Sequence, residues 1–417
     1  MEITIENLTY GGRGIGTVEN KKVFVRGGLP GDVLEIQIIK DKKTFSEAII
    51  KNIIKPSQHR VTPECKYFDQ CGGCHWQNLD YREQLNQKQK ILFDSLSRIG
   101  GFDEIDVEAI QESPKKFGYR NRTTLTSWFY NGVNHIGYFM EYSKSRVSID
   151  ECLVSSDQIN EHIKKISSSL NTINIKNLPL DKVVIANGDE DSGATMYPYE
   201  NLEPSSLNNL IKHFNRFDDD NYTSIHSEDN HFMFKVLDYE FISLPSAFIQ
   251  ANNEINELIV SDIIGFIEPL NIHNMIDLYC GIGNISIPCS EHVDKIVGVD
   301  LNFKSINLAN RNKKLNRVEN ATFLKSSSEE FLSNLIVEDN DIDLVVIDPP
   351  REGAKTILQD LVNINAKHLA YLSCNPTTLA RDLRFLVDSG YELNKIKPYD
   401  MFPHTYHLET LVFLTKS

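Results

Sequence analysis

The sequence predicts an α/β protein whose C-terminal part is a doubly wound, mostly parallel sheet, preceded by a small β-barrel and a central α+β segment. From residue 274 onward, strand-like apolar runs alternate with stretches of helical length, and such alternation requires a parallel sheet. Residues 2–58 instead carry several short strand-like runs separated by glycine turns, as small barrels do. Four of the seven cysteines lie between these two regions.

The composition is that of a globular protein with more than one domain. The chain has 417 residues, of which 41% are hydrophobic and 24% are charged, and this length exceeds one ordinary core. No apolar run has the length of a bilayer span, and the N-terminus lacks the pattern of a signal peptide. We therefore expect a cytoplasmic monomer without a membrane partner.

The charge distribution sets one part of the chain apart. A net charge of −15 disfavours extensive nucleic-acid binding, because phosphate recognition usually requires a basic surface. Residues 1–60 are an exception, with ten Lys or Arg against seven Asp or Glu. The N-terminal module is thus a basic unit on an acidic body, and its pattern alone is equally consistent with RNA binding and with a structural role.

We expect three domains. Residues 1–58 form a barrel of the oligonucleotide-binding kind, residues 59–240 a central domain with the cysteines, and residues 241–417 the α/β domain. Within the central domain, residues 78–98 have the apolar periodicity of a helix, which we expect to pack on the C-terminal domain. The last two of the seven predicted C-terminal strands are joined by a short link. This predicts an antiparallel final pair, unlike a dinucleotide-binding fold.

A glycine-rich turn marks the predicted cofactor site. An apolar strand ends in Asp277-Leu-Tyr-Cys-Gly-Ile-Gly-Asn284, at the edge of an α/β sheet where ligands bind. Asp300 ends the next strand, where a carboxylate can accept hydrogen bonds from both ribose hydroxyls. Ser286 replaces the third glycine of the dinucleotide fingerprint, which disfavours NAD and FAD. The pattern favours S-adenosylmethionine over a purely structural turn.

Two further motifs end the fourth and fifth strands. The first is Asp348-Pro-Pro-Arg351, in which arginine stands where enzymes that methylate amines often have an aromatic residue. The second contains Cys374. A thiolate that adds to C6 of a uracil makes C5 nucleophilic enough to take a methyl group. Arg351 or Arg381 is a candidate for lowering the pKa of this thiol, whereas an inert buried cysteine is the alternative.

The same chemistry needs a base, because C5 must lose its proton before the cysteine can leave. Glu409 is the best candidate, since its segment begins the last strand beside the fourth and fifth. His404 and His407, in the same segment, are rival bases.

These motifs resemble the RNA uracil-5-methyltransferase family, specifically its iron–sulfur-containing 23S ribosomal RNA branch with an N-terminal TRAM domain. The resemblance implies a Rossmann-like, seven-stranded catalytic domain, S-adenosylmethionine as methyl donor and 23S ribosomal RNA as partner. It is carried, in the family's order, by Tyr119-Arg-Asn-Arg122, Ser246-Ala-Phe-Ile-Gln-Ala-Asn252, D-L-Y-C-G-I-G-N, D-P-P-R-E-G, S-C-N-P-T-T-L-A-R-D and P-H-T-Y-H-L-E.

The resemblance also implies the roles of single residues. Cys374 is the expected nucleophile and Glu409 the expected proton acceptor. Ser327 is the expected adenine-side contact, although this chain departs from the family here: relatives often carry Asn or Asp after the third strand, where this chain has Ser326-Ser327-Ser328. The remaining expected cofactor contacts are Gln250, Tyr279, Gly281, Gly283, Asn284, Asp300 and Asp348.

The first four cysteines, Cys65, Cys71, Cys74 and Cys152, suggest a metal site. Four thiolates suit zinc and an iron–sulfur cluster about equally by spacing alone. The resemblance implies that they bind a [4Fe–4S] cluster, with a structural or RNA-orienting role and with zinc as the alternative. His75, next to Cys74, is not an expected ligand.

Three other functions compete with methylation of 23S ribosomal RNA. Transfer RNA is the alternative substrate for the same chemistry. A non-catalytic RNA-binding protein is disfavoured because Cys374 and Glu409 are both present. DNA cytosine-5 methylation usually places its cysteine in a Pro-Cys motif after the fourth strand, where this chain has D-P-P-R.

Overall fold

The computed structural model describes residues 1–172, 180–198, 223–226, 231–337 and 341–416. Its first five strands close into a barrel in the order β1-β2-β3-β5-β4, which confirms the predicted N-terminal barrel. Alternate residues such as Ile3 and Ile5 point inward and are buried, because side chains alternate between the faces of a strand. The strands are β1 (Glu2–Leu8), β2 (Gly14–Val18), β3 (Lys21–Val25), β4 (Val33–Asp41) and β5 (Phe45–Lys55).

A long helix, α1 (Tyr81–Arg98), connects the barrel to the rest of the chain. It begins after Asp80, whose carboxylate accepts a hydrogen bond from the Glu83 backbone N–H at 3.0 Å and so caps the first turn. Its residues Leu92 and Leu96 are buried in the core of the C-terminal domain. The helix predicted over residues 78–98 thus lies against the C-terminal domain.

In its described residues, the central domain contains a six-stranded sheet with one helix packed on it. Side chains of the helix, including Ile159 and Ile163, share a core with Leu125 of the sheet. The elements are β6 (Arg122–Tyr130), β7 (Val133–Phe139), β8 (Arg146–Ser148), α2 (Asp157–Thr172), β9 (Leu180–Asn187), β10 (Ser192–Pro198) and β11 (Thr223–His226). The strand order is β11-β10-β9-β6-β7-β8.

A hairpin of β12 (Phe232–Val236) and β13 (Tyr239–Ser243) precedes the C-terminal sheet. Its residues Phe232 and Phe241 are fully buried in the C-terminal core. The boundary expected after residue 240 therefore falls inside β13. A division before Phe232 keeps the hairpin with the core on which it packs.

The C-terminal domain contains a seven-stranded sheet in the order β16-β15-β14-β17-β18-β20-β19. Neighbours among the first five strands are parallel, and β20 is antiparallel to both β18 and β19. The strands are β14 (Asn274–Leu278), β15 (Lys295–Asp300), β16 (Ala321–Lys325), β17 (Leu344–Ile347), β18 (His368–Ser373), β19 (Tyr391–Tyr399) and β20 (Glu409–Lys416).

Helices connect these strands and flank the sheet. They are α3 (Asn253–Ile267), α4 (Ser286–Cys289), α5 (Phe303–Leu315), α6 (Ser328–Val337), α7 (Leu358–Asn363) and α8 (Pro376–Asp388). Among the described residues, we find no helix with both the length and the apolar character needed to span a bilayer. The carboxyl ends of β14, β15, β17 and β18 lie at one edge of the sheet, together with the start of β20, and this edge holds the predicted site.

Candidate active site

The glycine-rich turn after β14 has a backbone that few residues adopt. Gly283 has a φ of +88°, and a Cβ atom there would lie 2.9 Å from the Cδ1 atom of Ile287, so the turn requires glycine at this position. The backbone N–H of Gly281 donates a hydrogen bond to Oδ2 of Asp300 at 3.0 Å. The turn and the end of β15 are thereby held together.

A cavity opens at this turn, with about 400 Å³ of empty space when the part open to solvent is included. Phe248, Asp277 and Ile282 border it although the sequence did not single them out. Gly283, Asp300 and Ser327 are not among its lining residues. The predicted cofactor contacts that do line the cavity are Gln250, Tyr279, Gly281, Asn284 and Asp348.

Ser327 has a local structural task. Its hydroxyl accepts a hydrogen bond from the backbone N–H of Glu330 at 3.1 Å, and its carbonyl accepts one from Phe331 at 3.0 Å. Both bonds satisfy donors of the first turn of α6, as an N-terminal cap does. The adenine-side role of Ser327 stays a prediction.

Two pairs of hydrogen-bonded side chains hold Asn284, Gln250 and Asp348 in place where they line the cavity. The amides of Asn284 and Asn256 exchange two hydrogen bonds of 2.8 Å each. Gln250 donates from Nε2 to Oδ2 of Asp348 at 3.1 Å. The carbonyl of Gln250 in turn accepts from Asn121 of the central domain at 3.0 Å. The central and C-terminal domains therefore both orient the residues that line the cavity.

Asp277 is the acidic residue of this cavity that the sequence did not single out as a contact, although it begins the D-L-Y-C motif. Its Oδ2 accepts a hydrogen bond from the hydroxyl of Ser286, whereas its Oδ1 is buried without a partner in the described part of the chain. Burial raises the pKa of Asp277 to about 7, and burial likewise raises the pKa of Asp348 to about 7. The site thus offers buried acidic groups to a cationic ligand.

Cys374 follows the last residue of β18 and is half-buried. Burial raises the pKa of its thiol to about 12; the charges of Glu409 and Asp348 add to this effect, and Arg351 opposes it. Arg381, the other candidate cation, is engaged elsewhere, because it donates to Oδ1 of Asp382 at 2.8 Å. Arg351 is therefore the cation available to this thiol.

Glu409 is the first residue of β20 and is only 3% exposed. Because Ser373 pairs with Thr410 in the neighbouring strand, Glu409 and Cys374 lie side by side at the edge of the sheet. Burial raises the pKa of Glu409 well above its usual range, the charge of Asp348 adds to the effect, and Arg351 opposes it. Once ionised, such a carboxylate is a stronger base than an exposed one.

The rival bases are held differently. The backbone N–H of His404 donates to Oε1 of Gln84 at 2.9 Å, and its Nδ1 lies 3.2 Å from Nε2 of Gln84. Burial lowers the pKa of His404 to about 4, and burial with the nearby Arg351 lowers that of His407 to about 3. Both imidazoles are consequently weak bases, which favours Glu409.

The four N-terminal cysteines surround a second cavity of about 560 Å³, measured to its open mouth. All four are free thiols, and burial raises the pKa of Cys71 to about 11 and that of Cys74 to about 12. Within the described ranges, no three His, Cys, Asp or Glu side chains converge closely enough to hold a metal ion. His75 does not line this cavity.

Comparison with known proteins identifies both ends of the chain. Residues 224–417 match the tRNA (uracil-5-)-methyltransferase family, and residues 1–51 match the TRAM domain. A 23S rRNA (uracil(1939)-C(5))-methyltransferase RlmD of Vibrio parahaemolyticus is 31% identical over 100% of this chain and 96% of its own length. An uncharacterized RNA methyltransferase of Aquifex aeolicus is 33% identical over 99% of this chain and 98% of its own.

A solved structure has the same overall architecture. The tRNA (uracil-54, C5)-methyltransferase of Pyrococcus abyssi, in complex with S-adenosyl-L-homocysteine, superposes with a TM-score of 0.75 at 25% identity, over 100% of both chains. The matches extend over the barrel, the central domain and the C-terminal sheet. The chain belongs to the RNA uracil-5-methyltransferase family and carries that family's N-terminal TRAM domain.

Proposed function

We propose that this enzyme transfers a methyl group from S-adenosylmethionine to C5 of a uridine in 23S ribosomal RNA. The observation that carries the proposal is that Cys374 and Glu409 lie side by side at one edge of the C-terminal sheet. Asp348, whose charge acts on both, lines the cavity. The ribosomal substrate is supported by the name of the Vibrio relative, which matches the whole chain.

The residues around the first cavity fit S-adenosylmethionine. When bound, this cofactor supplies an electrophilic methyl group on a positively charged sulfur. The free Oδ1 of Asp277 can accept a hydrogen bond from its amino group, and Asp348 lies on the same wall. Asp300, held by Gly281, retains lone pairs for the ribose hydroxyls. The seven-stranded sheet order suits the Rossmann-like fold of such enzymes.

The chemistry on the uridine uses two side chains of this chain. The thiolate of Cys374 adds its sulfur to C6, which shifts the electron pair of the C5–C6 double bond toward C5 and the neighbouring carbonyl oxygen and makes C5 nucleophilic. C5 then forms a bond to the methyl carbon while the bond from that carbon to the donor's sulfur breaks, with its electron pair staying on the sulfur. Glu409 next removes the proton from C5. The C5–C6 double bond re-forms and the C6–sulfur bond breaks, which releases the thiolate of Cys374. Arg351 stabilises that thiolate by its charge.

The target base must leave its stack to reach Cys374, because C6 is inaccessible in a stacked helix. Phe248 lines the cavity and is 63% exposed. An exposed aromatic ring at this place offers a surface on which an extruded base can stack. We assign the stacking role to Phe248 for that reason.

The four cysteines fit a [4Fe–4S] cluster better than a single zinc ion. Zinc requires four sulfurs at about 2.3 Å from one point, whereas these thiols surround an open cavity. The backbone N–H groups of His75 and Trp76, next to Cys74, both donate to the carbonyl of His404. A cluster held here would stabilise the segment that leads to Glu409, which is a structural role.

The proposal also assigns a role to each domain and a state to the whole protein. We assign RNA binding to the basic barrel, cofactor binding and catalysis to the C-terminal domain, and the cluster to the central domain. The enzyme acts as a monomer in the cytoplasm, and a measured solution mass of one 47.6 kDa chain would support the monomer.

Mass mapping of 5-methyluridine tests the substrate. Purified protein and S-adenosylmethionine are incubated with unmodified 23S ribosomal RNA and, in parallel, with unmodified transfer RNA. We expect one nucleotide of the 23S RNA to gain a methyl group. Transfer RNA is the second candidate because of the Pyrococcus structure, and methylation of transfer RNA alone would establish it instead.

A further inference from the structure

One residue of the N-terminal barrel reaches the active site. Tyr10 lies in the turn between β1 and β2, which is closed by a hydrogen bond of 2.9 Å from the backbone N–H of Thr9 to the carbonyl of Arg13. The hydroxyl of Tyr10 donates to the carbonyl oxygen of Cys374 at 3.3 Å, across 364 positions of sequence. This hydrogen bond exists only while the barrel is docked on the C-terminal domain.

The ring of Tyr10 also packs against the segment that leads to Glu409. It meets the ring of Tyr406 edge-on, with centroids 5.4 Å apart, and Tyr406 also contacts His75 at 4.6 Å and His407 at 4.2 Å. A Cβ atom on Gly12, whose φ is +82°, would lie 3.0 Å from Cδ1 of Tyr406. The barrel turn therefore fits closely against the segment that leads to Glu409.

We infer that Tyr10 is a positioning residue for methyl transfer, which fixes the peptide of Cys374 and compensates the partial negative charge of its carbonyl. The inference rests on the proposed role of Cys374 as nucleophile. A carbonyl oxygen without a donor would oppose the formation of a thiolate on the same residue, and a hydrogen bond from Tyr10 reduces that opposition. The barrel thereby contributes to catalysis as well as to RNA binding.

The state of the Tyr10 hydroxyl is consistent with this role. Burial raises the pKa of Tyr10, and the nearby Cys374, Tyr406 and Glu409 add to the effect. The hydroxyl consequently stays protonated, and able to donate, at neutral pH. The same carbonyl belongs to the peptide before Asn375, whose side chain accepts from the backbone N–H of Thr377 at 3.1 Å and caps α8.

The test is the rate at which the full-length protein forms a covalent adduct with 5-fluorouridine RNA, measured over a range of pH. For Tyr10→Phe we expect a rate about five-fold lower at neutral pH, the effect of one neutral hydrogen bond. We also expect the plot of this rate against pH to shift to higher pH, and the KM for RNA to stay unchanged. Tyr142→Phe is the matched control, because its hydroxyl donates to the carbonyl of Gly11 in the same turn at 3.2 Å. This control should react like the wild type.

Two results would overturn the inference alone. One is a wild-type rate and pH profile for Tyr10→Phe, while Cys374→Ala forms no adduct. The other is an equal loss in Tyr10→Phe and Tyr142→Phe with a raised KM for RNA, which would mean that Tyr10 serves docking only. An adduct with Cys374→Ala would instead overturn the proposed function, and the inference with it.

Discussion

Four ionisable side chains meet where the parallel strands end, and burial shifts each of them toward its neutral form in the free protein. Burial raises the pKa values of Asp277, Asp348, Cys374 and Glu409. A cationic ligand beside Asp348 would favour the charged forms of the acids, because an opposite charge stabilises ionisation. In the proposed mechanism, loading of S-adenosylmethionine would thus favour the ionised form of Glu409 that acts as the base.

Removal of that base should trap an intermediate on ordinary RNA. Glu409→Gln keeps the size of the side chain but cannot take the proton from C5, so we expect methylated RNA to remain attached to Cys374. Turnover should fall by about 10²–10⁴-fold, the usual contribution of a general base. Denaturing electrophoresis with labelled methyl donor measures the attached RNA. His407→Asn is the control, and wild-type turnover in Glu409→Gln would exclude Glu409 as the base.

The raised pKa of Asp277 predicts a pH-dependent stability. The folded protein holds a proton on this carboxyl up to a pH of about 7, whereas the unfolded chain loses it near pH 4. The stabilisation by the neutral form is therefore complete at low pH and is lost as the pH rises through 7. Asp277→Asn, which is always neutral, should gain about 2 kcal/mol over the wild type between pH 5.5 and pH 8.

Chemical unfolding of the two ligand-free proteins at both pH values measures this difference. Ser286→Ala is a useful control, because it removes the hydrogen bond to Asp277 and leaves the carboxyl in place. A difference between wild type and Asp277→Asn that does not change with pH would show that Asp277 ionises at an ordinary pH in the folded protein.

Among the secondary-structure elements, α1 holds the segment of residues 400–408 that precedes Glu409. Lys88 of this helix forms a fully buried ion pair with Asp400, and Lys88 also donates to the carbonyl of Phe402 at 2.9 Å. Tyr81 donates to the other oxygen of Asp400 at 2.8 Å. Together with the contacts of Gln84 to His404, these bonds fix the chain that leads to Glu409.

The sequence predicts this helix but not the buried polar contacts that its side chains make. The apolar stripe of Leu85, Leu92, Phe93 and Leu96 predicts a buried face. The three leucines are buried as predicted, whereas Phe93 is 43% exposed, because it directly follows Leu92 and so points to another side of the helix. Gln84 and Lys88 are fully buried as well, although both side chains are typical of an exposed face. Gln84 contacts His404 and Lys88 contacts Asp400, each more than 300 positions away in the chain, and no local pattern encodes such a distance.

The buried ion pair predicts a clear effect on stability. Lys88→Met leaves the charge of Asp400 buried without a cation, which should lower the free energy of unfolding by about 3–5 kcal/mol. The double variant Lys88→Met/Asp400→Asn should recover part of this loss, because no uncompensated charge remains. Urea unfolding measures both values. If Lys88→Met lowered the free energy of unfolding no more than the double variant did, Asp400 would not be an uncompensated buried charge in the single variant.

For the whole molecule, the motifs of the C-terminal domain were the most predictable feature. Glycine turns, D-P-P-R and S-C-N-P follow strands, and parallel strands bring their ends to one edge of a sheet. The cavity therefore includes Asn284 and Asp348, and it also includes Gln250, which only the family resemblance implied. The sequence did not predict Asp277 as a cofactor contact, because it lies within an apolar strand where core residues are expected. Its unpartnered Oδ1 becomes apparent only in the structure.

The cysteine cavity predicts a bound cluster in the whole protein. Protein purified without oxygen should be brown and contain about four iron atoms per chain, as a [4Fe–4S] cluster requires. Cys74→Ser should lose iron and visible absorbance, and Cys289→Ser, which alters a buried thiol remote from this cavity, should keep both. Stoichiometric zinc without iron would refute the cluster.

The central claim is that the sulfur of Cys374 bonds to C6 of the target uridine. The most direct measurement is mass spectrometry of peptides from the protein after reaction with S-adenosylmethionine and 23S RNA in which uridine is replaced by 5-fluorouridine. Because fluorine cannot leave C5 as a proton does, the reaction should stop with a methylated nucleotide attached to the peptide that contains Cys374. A nucleotide attached to another residue, or an equal yield with Cys374→Ala, would contradict it.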